Sequence, residues 1–200
     1  MNPTPLIGGF VPLAVFASLD GVIRVDSAAV VATTVALVVA MLTSERKIAS
    51  VPVAQSVIFA AVAGLAFGGG ASAQHFLATY GCCITFMLLA VFMLGTVLFV
   101  PFTATIARYC TPAQDGAQFV DADRRISAAW GLAVLIIGLA DLGAATALPN
   151  GGKVLVGVLL WCGAVALAVA ALGYTWRVVA DVRARLVREM GVRGDAVMVG

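Results

Sequence analysis

Apolar residues occur along this chain in long runs that carry almost no charge, without the alternation typical of strands. A helix needs about 20 mostly apolar residues to cross a bilayer. The runs lie at 6–19, 27–43, 51–70, 76–100, 126–147 and 154–176. They predict an all-α integral membrane protein, a bundle of about six transmembrane segments.

The first segment, 6–19, is the shortest, contains Pro12 and ends before Asp20. Short apolar runs are ambiguous because a membrane helix must satisfy its backbone groups internally and still reach both surfaces. Either this segment spans with the help of Val22 and Ile23, or it is re-entrant and returns to the side from which it entered.

The composition leaves little sequence for a soluble domain. Hydrophobic residues make up 62% of the chain and charged residues 11%, whereas soluble domains carry about 25% charged residues. We therefore expect one membrane bundle over 1–176 and a cytoplasmic, basic amphipathic tail over 177–200.

Lysine and arginine placement predicts the orientation, since cytoplasmic segments retain positive charge. Of the 12 basic residues, all but Arg24 and Lys153 lie in 44–50, in 103–125 or after Trp176. Both termini are therefore expected in the cytoplasm; if the first segment is re-entrant, only the N-terminus changes side. The arginine-rich tail has the character of a helix lying on the lipid bilayer.

The stretch "VPFTATIARYCTP" follows the fourth run, where we expect a helix to reach the cytoplasmic face. Pro101 ends the regular helix, Thr103 satisfies a freed carbonyl and Arg108 extends to the headgroups. Arg125 and Trp130 belong to the same helix-end motif at the start of the next segment. A ligand site is the alternative interpretation.

Asp141 is the main candidate for chemistry, because an intramembrane carboxylate usually faces the bundle interior or a water-filled cavity. It is either a proton or cation site or a boundary residue paired with Arg24 or Lys153. Asp20, Arg24 and His75 are predicted on the same outer side. They either line a cavity with Asp141 or belong to a solvated loop.

Ala60, Gly64 and Gly68 recur four residues apart, a spacing that lets another helix approach closely. We expect this contact inside the bundle; the alternative is a membrane-protein partner or a second copy of the chain.

No sequence signature indicates an enzyme, a cofactor or nucleic-acid binding. His75 is the only histidine, which excludes a bis-histidine haem within one chain and any multi-histidine zinc site.

The first half of the chain resembles bacterial intracellular septation protein A and its uncharacterised relatives. The segments that carry this resemblance are "GFVPLAVFASLDGVIRVDSAAVVATTVALVVAML" and, after a basic turn, "VPVAQSVIFAAVAGLAFGGG". The second half is similar to multi-pass proteins of the same grouping through Pro101, Phe102, Thr103, Ala107, Arg108 and Pro112, then Arg125, Trp130 and Gly131. The resemblance implies a multi-pass protein of the bacterial inner membrane with an envelope-related role.

Two functions are consistent with these observations. The first is a non-enzymatic structural or accessory protein that packs against partners in the membrane. The second is a small transporter or proton-linked permease that uses Asp141. The position of Asp141 distinguishes them, since a cavity favours transport and a paired surface position favours the accessory role.

Overall fold

The computed structural model describes residues 8–20, 22–44, 50–99, 117–147 and 153–198. Six helices follow one another within these ranges: α1 Val11–Leu19, α2 Val25–Ser44, α3 Ser50–Gly68, α4 Gly70–Phe99, α5 Ala117–Ala147 and α6 Lys153–Met198. No strand forms within these ranges, so the prediction of an all-α fold is confirmed for them.

Five of these helices, α2 to α6, are long and apolar enough to cross a membrane. The first, α1, has only 9 residues, which corresponds to about 13.5 Å, less than half of a hydrocarbon core about 30 Å thick. The structure is thus a helical membrane bundle with five candidate spans and one short helix. Re-entrance of α1 and the side of each terminus stay predictions.

Two helices begin earlier than their apolar runs suggest. Gly70, with φ of +66°, turns the chain directly from α3 into α4, so the predicted loop before Phe76 is helical. In α5, a salt bridge of 2.7 Å joins Asp121 to Arg125 across one turn, and such pairs stabilise exposed helical turns. Hydrophobicity marks the apolar part of a helix, and polar turns extend beyond it.

The inner face of α2 consists of alanines. Ala28, Ala32, Ala36 and Ala40 recur every four residues and are buried, and α2 packs extensively on α3. Small residues let two backbones approach closely, which in lipid matters more than apolar burial. Next to this interface, Phe16 of α1 packs on Phe59 of α3 with ring centroids 5.0 Å apart.

Glycines bring α4 and α5 together. A Cβ atom on Gly131 would lie 2.8 Å from the side chain of Leu94, and one on Gly138 would lie 3.0 Å from Cβ of Phe86. These two glycines are seven residues apart and therefore share one face of α5. This interface and the α2–α3 interface are the two most extensive among the described helices.

The last helix is attached to the periphery. Only 6% of the apolar stretch of α6 is buried, against 33% to 44% in the other four spans, and its main neighbour is α5. Because α6 does not close tightly on the bundle, a cavity forms between it and α1, α4 and α5.

Candidate functional site

The cavity has a volume of about 510 Å³, which lies within the range of small-molecule sites. Residues from 157 to 172 on one face of α6 form one wall, and α1, α4 and α5 form the others. Most of its surface is apolar. The lining side chains are Phe10, Leu13, Ala14, Ala17, Asp20, Cys82, Phe86, Trp130, Ala133, Val134, Ile137, Asp141, Leu160, Trp161, Ala164, Val165, Ala168, Val169 and Leu172, together with Gly157.

One end of the cavity is acidic. Asp141 is half-buried near the C-terminal end of α5, and Asp20 follows α1 on the same cavity wall. The side chain of Cys82, on α4, lines the same cavity beside Asp141. Among the residues with described side chains, Asp141 forms no ion pair. The carboxylate of Asp141 thus lies against an apolar cavity with a thiol as its polar neighbour.

The other end of the cavity is closed by Trp130. Its ring stacks on Phe10 with centroids 5.0 Å apart and an interplanar angle of 19°. Its indole Nε1 donates to Oγ1 of Thr175 at 3.2 Å, and that hydroxyl donates to the Ala171 carbonyl oxygen at 2.8 Å. Trp130 therefore connects the N-terminal end of α1, the middle of α5 and the middle of α6.

No protein-family model, no curated protein and no solved structure matches the chain. The resemblance to the intracellular septation protein A group stays a prediction.

The charged residues that we expected to act with Asp141 divide into two groups. Arg24 forms a salt bridge of 2.8 Å with the buried Asp26 and donates to Oε1 of Gln74 at 3.3 Å. The amide nitrogen of Gln74 donates to the Ala66 carbonyl oxygen. Arg24 therefore connects the α1–α2 turn to the start of α4, whereas Asp20 lines the cavity.

His75, the remaining residue of the predicted outer cluster, is not among the described residues that line the cavity. His75 is exposed on the first turns of α4, where its carbonyl accepts the Thr79 hydroxyl. The side chain of Lys153, the alternative partner of Asp141, lies outside the described part of the structure. Of the four residues predicted as an intramembrane polar site, the structure brings together Asp141 and Asp20.

The small residues Ala60, Gly64 and Gly68 are exposed on α3. A Cβ atom on either glycine would have nothing within 4 Å. The internal contact that we expected for them is therefore not observed; the face of α3 that contains Phe59 and Ala63 is buried instead. The bundle uses the alanines of α2 for its close packing.

Part of the predicted helix-end motif lies outside the residues that the structure describes. Pro101, Thr103 and Arg108 are not among the described residues. Arg125 is exposed and paired with Asp121. Trp130 is buried in the middle of α5 and lines the cavity. It therefore does not lie at a helix end, as the sequence had suggested.

Sequence reasoning missed two polar features. Cys82 was not among the predicted site residues, although it lines the cavity beside Asp141. Gln55 is fully buried in α3, and neither its Oε1 nor its Nε2 has a hydrogen-bond partner in the described structure. A lone amide inside the run "SVPVAQSVIF" was the available signal, because an amide in an apolar helix needs a partner.

The lining of this cavity is suited to binding. Among the described residues no group of three or more histidines, cysteines, aspartates or glutamates is placed to hold a metal ion. The cavity offers aromatic and aliphatic surface with carboxylates at one end. Such a lining is suited to an amphipathic molecule.

Proposed function

We propose that the protein is a small transporter or permease whose substrate site is the cavity between α6 and the rest of the bundle. The observation that carries the proposal is the position of Asp141 on the wall of this cavity. A carboxylate within a membrane is costly and usually marks a substrate or ion pathway. Asp141 is the polar group of the proposed site, and the apolar walls bind the rest of the substrate.

The peripheral position of α6 supports a transport cycle. A substrate must enter and leave, and the helix with the least buried surface is the one that moves at the smallest cost in lost contacts. Because α6 also supplies one full wall of the cavity, its displacement from α5 changes access to Asp141.

Native mass spectrometry of protein extracted gently from its own membranes tests the substrate site. We expect the wild-type protein to retain a small molecule and Ala164→Phe, which fills the cavity, to lose it. Ala166→Phe is the matched control, since Ala166 is exposed on α6 and does not line the cavity. Equal retention by both variants would contradict the proposal.

Transport itself is tested in proteoliposomes with the molecule that the first experiment identifies. We expect Asp141→Asn to reduce uptake strongly, because the amide has the same shape without the charge. Uptake that is unchanged in Asp141→Asn would rule out the proposed role of this carboxylate.

We further propose that the protein lies in a bacterial inner membrane with its C-terminus in the cytoplasm, on the distribution of lysine and arginine. In a cysteine-free background, an impermeant maleimide should label Thr146→Cys from outside and Ala184→Cys only after permeabilisation. Gly8→Cys distinguishes the two alternatives for α1. Labelling of Ala184→Cys from outside, without permeabilisation, would show that the protein has the opposite orientation.

An accessory role is the second candidate, favoured by the exposed face of Ala60, Gly64 and Gly68. Small residues on an uncovered face permit a close helix contact with a membrane-protein partner or a second copy. Gly64→Leu should release such a partner during gentle extraction, whereas Val57→Leu, at another exposed position of α3, should not. A lone monomer in native membranes would exclude this role.

A further inference from the structure

The cavity has a charge asymmetry that specifies the class of its ligand. Both of its charged side chains, Asp20 and Asp141, are acidic and lie at one end. No lysine, arginine or histidine is among its lining residues in the described structure. The nearby Arg24 is engaged by Asp26 and Gln74. An anionic ligand therefore finds no cationic partner among the described lining residues.

The aromatic lining favours the same sign of charge. Trp130, Trp161, Phe10 and Phe86 all contribute to the walls. The faces of aromatic rings attract cations, and the attraction increases when the site excludes water. The carboxylates thus favour a positive charge at their end of the cavity, and Phe86, one helical turn from Cys82, favours the same sign. The aliphatic side chains, with Phe10 and Trp130 at the far end, favour an apolar body.

We propose that the cavity binds a lipophilic cation, a compact organic ammonium or phosphonium ion with apolar substituents. This inference rests on the proposed function and names the substrate class of the same site. The positive charge lies at the end with Asp20 and Asp141, and the substituents extend toward Trp130. A volume of about 510 Å³ accommodates one such ion with several ring-sized substituents.

Tetraphenylphosphonium and tetraphenylborate test the sign of the charge, because they have nearly the same shape and opposite charges. Saturable binding of each is measured on the full chain in neutral detergent, with protein-free micelles subtracted. We expect the phosphonium to bind at least about ten-fold more tightly than the borate, a difference of about 1.4 kcal/mol.

Variants assign the binding to the cavity. Asp20→Asn with Asp141→Asn should weaken phosphonium binding about ten-fold or more, and Ala164→Phe should abolish it. Asp121→Asn is the matched control, since Asp121 is an exposed carboxylate paired with Arg125 and does not line the cavity. Its affinity should equal that of the wild-type protein.

Three results would overturn the inference, and they differ in whether the proposed substrate site is overturned as well. Equal binding of both probes, lost in Ala164→Phe, would mean that the cavity accepts apolar molecules regardless of charge, and the proposed substrate site would stand. Phosphonium binding that survives Ala164→Phe would place it elsewhere on the protein. Binding of neither probe, together with a retained molecule of another class in native mass spectrometry, would overturn the cation class alone.

Discussion

Nε1 of Trp130 lies 3.2 Å from Oγ1 of Thr175, 45 residues away in the chain, and donates a hydrogen bond to it. This contact joins α5 to α6 at the end of the cavity opposite Asp141. Since little of α6 is otherwise buried, the bond stabilises the position of the wall that α6 provides.

Thr175→Val should loosen α6, because valine keeps the shape of threonine and removes the acceptor for the indole. We expect a loss of about 0.6 kcal/mol in unfolding free energy, typical of interhelical hydrogen bonds in membranes, measured by denaturant titration in detergent. Thr146→Val is the control, since its hydroxyl bonds only to backbone of its own helix. Equal effects of the two changes would contradict an interhelical role for Thr175.

Gly138→Ala should separate α4 from α5. The added methyl group would lie 3.3 Å from the backbone nitrogen of Met87. A backbone atom of a helix cannot shift aside in the way that the end of a flexible side chain can. Overpacking of this kind costs about 1–3 kcal/mol, seen as a lower unfolding midpoint. Gly143→Ala, on the same helix with open space around it, shares the gain in helix propensity and should not destabilise. A stabilised Gly138→Ala would contradict the close approach.

Arg24→Ala should destabilise the α1–α2 turn, because it leaves the carboxylate of Asp26, whose side chain is 5% exposed, without its cation. Adding Asp26→Asn should restore part of the stability. The asparagine removes the buried charge, and its amide oxygen still accepts from the Ser27 backbone N–H. Thermal unfolding of the single and double variants measures the recovery, and a double variant less stable than Arg24→Ala would contradict it.

Gln55→Met should raise the unfolding free energy by about 1–2 kcal/mol, because a buried amide without partners costs that much and methionine has a similar shape. The change is measured by the same titration. Ser56→Ala is a useful comparison, since it removes a satisfied hydrogen bond to the Pro52 carbonyl oxygen and should not stabilise. A destabilised Gln55→Met would mean that the amide makes a contact that matters for stability.

The helix-packing faces show where a local pattern is insufficient. The spacing of Ala60, Gly64 and Gly68 and the spacing of Ala28, Ala32, Ala36 and Ala40 are the same pattern in the sequence. Only the four alanines of α2 are buried. Burial depends on which side of each helix its neighbours occupy, and four-residue spacing carries no information about that side.

The sequence by itself determined the class of the protein and the five long helices, because hydrophobic length is a local property that a bilayer requires. It also singled out Asp141 and Asp20, since charges are conspicuous in an apolar chain. The tertiary structure decided that these two share a cavity with Cys82 and Trp130 while Arg24 pairs with Asp26. Those relationships depend on how helices distant in the chain pack, and long-range packing follows from the whole set of interfaces and not from any one segment.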